Sequence, residues 1–340
     1  GWEAAWFGRL KEYCDLAKTH GIGVIVWKPS PIGMGNLKKV IAEMKNPPRL
    51  PNGEIDISKI KTKHDNYQNI VVSEDRTKRR AMFKHLAEAG VKAIKLDYID
   101  SENARWKTYM VNVLTDAAEF KLMVDFHGCC VPAGESRTFP NEITREAIYG
   151  LEKLRGGGGA KKFPTRRYVN LAFTRLLAGH ADFTPTTLGA KADGYTQTMQ
   201  VASALVFTSP MLIWGEHGKL LQASPALPVI QSMPTQWDET IVLPSSKFDD
   251  LAVFARRKGK DWYVAMINGH AKTPQSYTLK LDFLPKGKYT MFLCKDIEGS
   301  PNIATETRTV SAGDTLQVKM NPSGGFIARF QPAAKKLLGE

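Results

Sequence analysis

Two short apolar segments of this chain end in side chains that can do chemistry. The first carries Lys95 and Asp97, and the second carries Asp125 and His127. Successive side chains of a strand alternate between its two faces, so the two residues of each pair share one face of their strand. Acid and imidazole groups at the end of a buried strand are typical of a barrel enzyme's active site. The alternative is structural, with the acids capping the next helix or pairing with Lys95.

The elements around these residues predict a (β/α)8 barrel. Each apolar segment follows a helix-like stretch, residues 76–90 for the first and 101–121 for the second. This repeat is typical of parallel strands joined by crossover helices. In such a barrel the C-terminal ends of the strands form the catalytic face, which is where Asp97 and His127 fall.

The rest of the barrel is predicted from weaker patterns. A helical stripe over residues 2–20 leads into a strand at 23–27, and a helix over 144–154 is predicted with Asn141 or Thr144 as its cap. Further elements are predicted as helix 168–179, strand 181–185, helix 195–207 and strand 210–215. These strands do not reach eight, so we expect the barrel to be incomplete at its N-terminus.

Beyond residue 234 the pattern changes to short alternating runs separated by turn residues. This spacing predicts an antiparallel β-sandwich. The predicted fold is therefore α/β, with a TIM-like barrel over residues 1–233 followed by a C-terminal β-sandwich over residues 234–340.

Composition excludes several classes of protein. The chain has 340 residues, 43% hydrophobic and 24% charged, which is ordinary for a globular protein. The net charge of +13 is spread along the chain without a recognition motif, so no nucleic-acid partner is expected. No apolar run is long enough to cross a membrane, and the four cysteines lack metal-ligand spacing.

Four segments together resemble glycoside hydrolase family 97, a family of α-galactosidases and α-glucosidases. They are residues 90–98, 122–128, 137–152 and 173–185. The resemblance continues weakly into the predicted sandwich. It implies a glycoside hydrolase that acts on oligosaccharides, with calcium as its cofactor.

The resemblance also implies site residues. The strand-end Asp97 matches the nucleophile of the family's retaining branch, and Glu152 matches the proton donor. Glu146 resembles a calcium ligand, and Glu152 is expected to share the ion. Inverting members place a base Glu where this chain has Gly128, so retention is expected.

The expected chemistry divides hydrolysis between two carboxyl groups. Asp97 would attack the anomeric carbon, and Glu152 would act first as acid and then as base toward water. Lys95 would keep Asp97 ionised, His127 would hydrogen-bond a sugar hydroxyl, and Trp27, like Trp214, would stack on the sugar. Each residue also has a structural interpretation: Glu146 and Glu152 are six apart, on opposite sides of a regular helix, and tryptophans are more often core than platform.

Two departures from the family pattern stand out. The family carries an N-terminal β-sandwich domain and a first barrel strand, which this sequence does not contain, so a fragment is one interpretation. The four glycines at 156–159 replace an aromatic and charged loop and predict a mobile loop. The resemblance further implies a periplasmic or secreted bacterial protein.

Three functions remain open at this level. The first is a retaining exo-acting α-glycosidase, with α-galactosides favoured over α-glucosides because the retaining branch leans that way. The second is a catalytically impaired carbohydrate-binding protein. The third is an interaction or nucleic-acid module using the positive charge, against which the complete set of Asp97, Glu146 and Glu152 argues.

Overall fold

The computed structural model of the chain describes residues 2–31, 45–49, 51, 53, 71–99, 102–152, 163–185 and 194–333. By compactness the chain divides into two units, Gly1–Ala147 and Ile148–Glu340. These units are defined by internal contacts, so the predicted domain boundary at residue 233 stays a prediction. The glycines at 156–159 lie outside the described residues.

The first unit contains a parallel four-stranded sheet with helices before its inner strands. Its helices are α1 (Trp2–Thr19), α2 (Arg76–Ala89), α3 (Ala104–Glu119) and α4 (Glu135–Thr138), and its strands are β1 (Ile25–Pro29), β2 (Ala93–Asp97), β3 (Met123–Phe126) and β4 (Glu142–Arg145). The strand order is β1-β2-β3-β4, and every neighbouring pair is parallel. All four C-terminal strand ends therefore lie at one edge of this sheet.

Helices α2 and α3 have clear local causes. The side chain of Asp75 caps α2 by accepting from the Lys78 N–H at 2.9 Å, and Gly90 ends it with φ 98°. Asn103 caps α3 in the same way through the Trp106 N–H. The apolar faces of both helices and the strand side chains form one core, which includes Phe83, Leu86, Ile94, Leu96, Val113, Leu114, Val124 and Phe126.

The second unit is dominated by antiparallel sheets. Its helices are α5 (Arg166–Ala172), α6 (Gln197–Val206), α7 (Gly218–Ala223) and α8 (Leu227–Ser232), with a 3₁₀ helix at Arg175–Ala178. Its strands are β5 (Glu239–Val242), β6 (Leu251–Lys258), β7 (Asp261–Asn268), β8 (Gln275–Lys280), β9 (Lys288–Asp296), β10 (Ile303–Ser311), β11 (Thr315–Met320) and β12 (Gly325–Pro332). Six strands form one sheet in the order β10-β9-β12-β7-β6-β5, and β11 and β8 form a second sheet.

Helix α6 packs against the six-stranded sheet of its own unit. It touches β7 and β12, and every residue from Thr198 to Val206 is buried. At the crossing, a Cβ on Gly325 would stand 2.7 Å from the Met199 Cα, which is backbone and cannot move aside cheaply. Glycine at position 325 is therefore required for this close approach.

Several predicted elements are wrong in detail. Residues 142–145 of the predicted helix 144–154 form strand β4 and its end, because Thr144 and Arg145 pair with Asp125 and Phe126 of β3. Asn141 does not cap a helix, since its amide donates to the Leu114 carbonyl. Residues 181–185 and 210–215 follow an irregular path instead of forming strands. The sequence patterns also missed strands β5, β10 and β11.

Candidate active site

The register of the parallel sheet brings the predicted residues of the first unit onto one face. Trp27 of β1 lies opposite Lys95 of β2, which lies opposite Asp125 of β3. Asp97 is two residues beyond Lys95, so its side chain emerges on the same face at the C-terminal end of β2. Parallel pairing thus places a carboxylate, an ammonium and an indole within reach of one another.

The Asp97 carboxylate is the centre of this arrangement. Its Oδ2 accepts a hydrogen bond from the Trp27 Nε1–H at 2.8 Å. Its Oδ1 accepts from the Tyr98 backbone N–H at 2.7 Å and contacts His127 Nδ1 at 3.2 Å. Three donors on two oxygens fix both the position and the rotation of the carboxylate.

These contacts favour the charged forms of Asp97 and His127. Burial by itself would raise the pKa of Asp97, but the hydrogen bonds from His127, Trp27 and the Tyr98 N–H outweigh it and lower that pKa below its usual value. Burial would lower the pKa of His127, but the hydrogen bond to Asp97 and the nearby charge of Glu146 raise it. The pair is therefore held as a carboxylate beside a more basic imidazole than usual.

The turn after β2 holds Asp97 in place. Tyr98 has φ 65°, a left-handed conformation that is unusual for an aromatic residue. Ser30 braces this turn twice, donating its N–H to the Asp97 carbonyl at 2.8 Å and its hydroxyl to the Tyr98 carbonyl at 2.6 Å. The turn points the Tyr98 N–H back at the carboxylate.

Glu146 is a second buried carboxylate in the first unit. It follows β4 directly, and its N–H donates to the Phe126 carbonyl at 2.7 Å. Its Oε2 accepts from the Gly128 N–H at 2.5 Å and lies 3.4 Å from His127 Nδ1. Only 4% of Glu146 is exposed. His127 therefore lies between two carboxylates, Asp97 and Glu146.

Lys95 has a partner of its own in this site. Its Nζ lies 3.7 Å from Oδ2 of Asp125, which is fully buried. This pair matches the structural alternative for Asp125. The donors that lower the pKa of Asp97 come from His127, Trp27 and Tyr98, while Lys95 acts on His127, whose pKa it lowers by repulsion.

Glu152 belongs to the second unit, so its surroundings are those of that unit. It lies in a short 3₁₀ turn, half-buried, next to the fully buried Leu151. Gly150 lies against the Phe183 carbonyl so closely that any Cβ would collide with it. Trp214 packs partly buried against the core of the same unit. Glu152 thus stands on a turn fixed by apolar packing, and not on the predicted helix.

A carboxylate oxygen is the kind of ligand that calcium takes, and an imidazole is not. Glu146 fits that requirement, while its neighbour His127 does not add to a calcium site. Trp27 is 37% exposed and its ring meets Tyr98 edge to face at 5.8 Å. Its predicted stacking on a sugar stays a prediction.

Sequence patterns missed the groups that act through the backbone or from a neighbouring strand. These are Ser30, the Tyr98 N–H and the Gly128 N–H. A polar residue at the end of β1 was the one available signal for Ser30. Nothing in the sequence marks a backbone N–H as a donor to a particular carboxylate.

Two family models match this chain. The model described as "Glycoside hydrolase 97" matches residues 3–148, and the model described as "Glycosyl-hydrolase 97 C-terminal, oligomerisation" matches residues 236–331. A curated relative named retaining alpha-galactosidase, from Bacteroides thetaiotaomicron, is 28% identical over 265 residues, which is 73% of this chain and 39% of the relative.

Solved structures show the same fold. An enzyme of glycoside hydrolase family 97 from Pseudoalteromonas sp. strain K8, in complex with acarbose, matches with a TM-score of 0.73 and 25% identity. A structure with panose from the same source matches with a TM-score of 0.72 and 24% identity. Each match covers 95% of this chain and 49% of the other. The chain thus spans half or less of the length of these relatives, and the predicted class, a barrel followed by a β-sandwich, is confirmed.

Proposed function

The chain belongs to glycoside hydrolase family 97, and on this premise we propose that it is a retaining exo-α-glycosidase that hydrolyses terminal α-galactosides. The observation that carries the proposal is the Asp97 carboxylate at the end of β2, ionised and held by three donors. An ionised, oriented carboxylate is what nucleophilic attack on an anomeric carbon requires.

In the first step Asp97 attacks the anomeric carbon from the face opposite the leaving group. The bond to the leaving oxygen breaks, and Glu152 supplies the proton that this oxygen takes up. The product is a β-linked glycosyl ester on Asp97. In the second step Glu152 accepts a proton from water, the water oxygen attacks the same carbon, and the carboxylate leaves. Two inversions give net retention.

The surrounding residues would bind the sugar and support the nucleophile. Charged His127 keeps a proton on Nδ1 toward Asp97 and offers a charge-assisted donor. The half-exposed ring of Trp27 supplies an apolar surface next to the same carboxylate. Lys95 is tied to Asp125 and keeps that fully buried carboxylate paired.

The galactoside is favoured because a curated relative is named a retaining alpha-galactosidase. An α-glucoside is the second candidate, because structures similar to this chain were solved in complex with panose and acarbose. A carbohydrate-binding protein without turnover is the remaining alternative.

We also propose that calcium binds at Glu146. Support comes from chemistry: Glu146 is a carboxylate that is almost fully buried, and calcium binds to oxygen ligands. Bound there, the ion would supply positive charge close to the sugar-binding residues, and Glu152 is the second expected ligand. The acid, base and nucleophile steps given above are carried by the chain's own carboxyl groups.

The test of the function is hydrolysis of p-nitrophenyl α-galactoside and α-glucoside, with the released anomer followed by NMR. We expect the α-anomer to appear first. Asp97→Ala should remove turnover, and added azide should restore part of it as a β-glycosyl azide. Asp282→Ala, at an exposed aspartate of the second unit, is the matched control and should retain wild-type rates.

Three other results would contradict the proposal. Release of the β-anomer first would mean inversion. Unchanged turnover in Asp97→Ala would remove the nucleophile assignment. Sugar binding without turnover by the folded wild-type chain would favour the carbohydrate-binding alternative.

A further inference from the structure

The two oxygens of the Asp97 carboxylate have different surroundings. Oδ1 is met by two donors, the Tyr98 N–H at 2.7 Å and His127 Nδ1 at 3.2 Å. Oδ2 is met by the Trp27 Nε1–H at 2.8 Å. A carboxylate oxygen has about two lone-pair directions, so both directions of Oδ1 are used and Oδ2 keeps one for a reacting atom.

Trp27 is itself held in a fixed place. It lies on the neighbouring strand, in register with Lys95, and its ring meets the Tyr98 ring edge to face. Tyr98 is in turn tied to Ser30, which follows the same strand as Trp27. Trp27, Asp97 and Tyr98 therefore form a closed set of contacts in which each fixes the next.

We propose that Trp27 is a positioning residue for the nucleophile, whose indole N–H orients Oδ2 of Asp97 for attack and binds that oxygen again when the sugar leaves. The inference rests on the proposed function and adds which oxygen reacts and what controls it. It assigns Trp27 a role through Asp97, separate from any stacking on the sugar.

The proposal follows the charge on Oδ2 through the two steps. In the first step Oδ2 forms its bond to the anomeric carbon and loses negative charge, while the leaving oxygen takes a proton from Glu152. In the second step water forms the new bond, its proton goes to Glu152, and the electron pair of the ester bond returns to Oδ2. A donor at Oδ2 stabilises the departing carboxylate, so its loss should slow the second step most.

The variant Trp27→Phe removes the N–H and keeps an aromatic ring. A hydrogen bond to a charged group is strong enough that we expect kcat to fall about tenfold, with a smaller fall in kcat/KM. The glycosyl-enzyme should then accumulate and give a burst of p-nitrophenol. Loss of the donor should also raise the pKa of Asp97 and move the acid limb of kcat/KM to higher pH.

The other charged groups near Asp97 are the same in this variant. His127 still contacts Oδ1, Glu146 still lies against His127, and Lys95 still pairs with Asp125. Trp106→Phe is the matched control, because Trp106 lies on α3 with its ring against Tyr109. It should leave the acid limb and the ratio of kcat to kcat/KM as in the wild type.

A titration that needs no turnover separates this proposal from the function. The chain is labelled with ¹³C at aspartate carboxyl groups, the Asp97 signal is identified by its loss in Asp97→Asn, and its pKa is measured in wild type and Trp27→Phe. A higher pKa in Trp27→Phe supports positioning by Trp27. An unchanged pKa and an unchanged acid limb in a folded Trp27→Phe protein would overturn it. Failure of the proposed function alone would appear as no turnover by the wild type, with the pKa difference still present.

Discussion

At the scale of single residues, the charge of Asp97 and that of His127 depend on each other. Each is largely buried, so each would lose its charge if it were alone. The 3.2 Å contact between Asp97 Oδ1 and His127 Nδ1 reverses that tendency for both, lowering the pKa of the acid and raising that of the imidazole. Removing the charge of either residue should therefore be visible at the other.

We expect Asp97→Asn to lower the pKa of His127, because the neutral amide no longer stabilises the imidazolium. Titration of the histidine ring signals by NMR measures this shift. His270 is the internal control, since its partner is Asp250 in the second unit, 2.5 Å from its Nε2. An unchanged titration of His127 in the variant would show that the pair does not share charge in solution.

The same pair makes stability depend on pH in a defined window. The raised pKa of His127 adds stability below its unfolded value near pH 6.5, and this is lost as pH rises through the folded pKa. The lowered pKa of Asp97 adds stability above about pH 4, and this is lost as pH falls through its folded value. Wild type should thus exceed Asp97→Asn in unfolding free energy most between these limits.

At the scale of elements, helices α2 and α3 are joined by a buried cluster of charges. Asp116 of α3 is 1% exposed, and it accepts hydrogen bonds from Arg76, Arg79 and Arg80 of α2. Arg79 is equally buried and lies 2.5 Å from Asp116. Burial opposes the charge of Asp116, but the arginines lower its pKa below the usual value.

We expect Asp116→Asn to destabilise the protein by about 3–5 kcal/mol, because it leaves the buried Arg79 without its counter-charge. Urea unfolding at neutral pH measures this. The difference from wild type should shrink below about pH 4, where the wild-type carboxylate takes up its proton. Asp15→Asn is the control: Asp15 pairs with Lys11 at an exposed position, so its loss should cost under about 0.5 kcal/mol.

Elements whose own patterns were regular could be predicted, and those made by their neighbours could not. Capped, amphipathic α2 and α3 fall close to the predicted stretches 76–90 and 101–121. Residues 142–145 read as the start of a helix by composition, yet pairing with β3 makes them a strand. Propensity is a weak prior that tertiary pairing overrides.

At the scale of the whole molecule, the chain spans 39% of its curated relative and 49% of the solved structures, so its activity and its cofactor are both open to direct measurement. Among the residues that the structure describes, no helix is long and apolar enough to cross a membrane.

Calcium binding at Glu146 has a readout that does not need substrate. We expect added calcium to raise Tm relative to EDTA, because a ligand bound only by the folded state at 100 times its Kd adds about 2.7 kcal/mol. Glu146→Gln should lose this increase, and Glu298→Gln, at an exposed glutamate, should keep it. Equal Tm values of the wild type in calcium and in EDTA would argue against the ion.

The sequence by itself determined the family, the fold class and the identity of the acids at the strand ends. It could do so because apolar periodicity, turn residues and the strand-end carboxylate are local features of the chain. Only the tertiary structure decided that Trp27 donates to Asp97, that Lys95 pairs with Asp125, and that Glu146 accepts the Gly128 N–H. These contacts depend on strand register and on backbone turns, which join residues 18 to 70 positions apart and leave no local pattern.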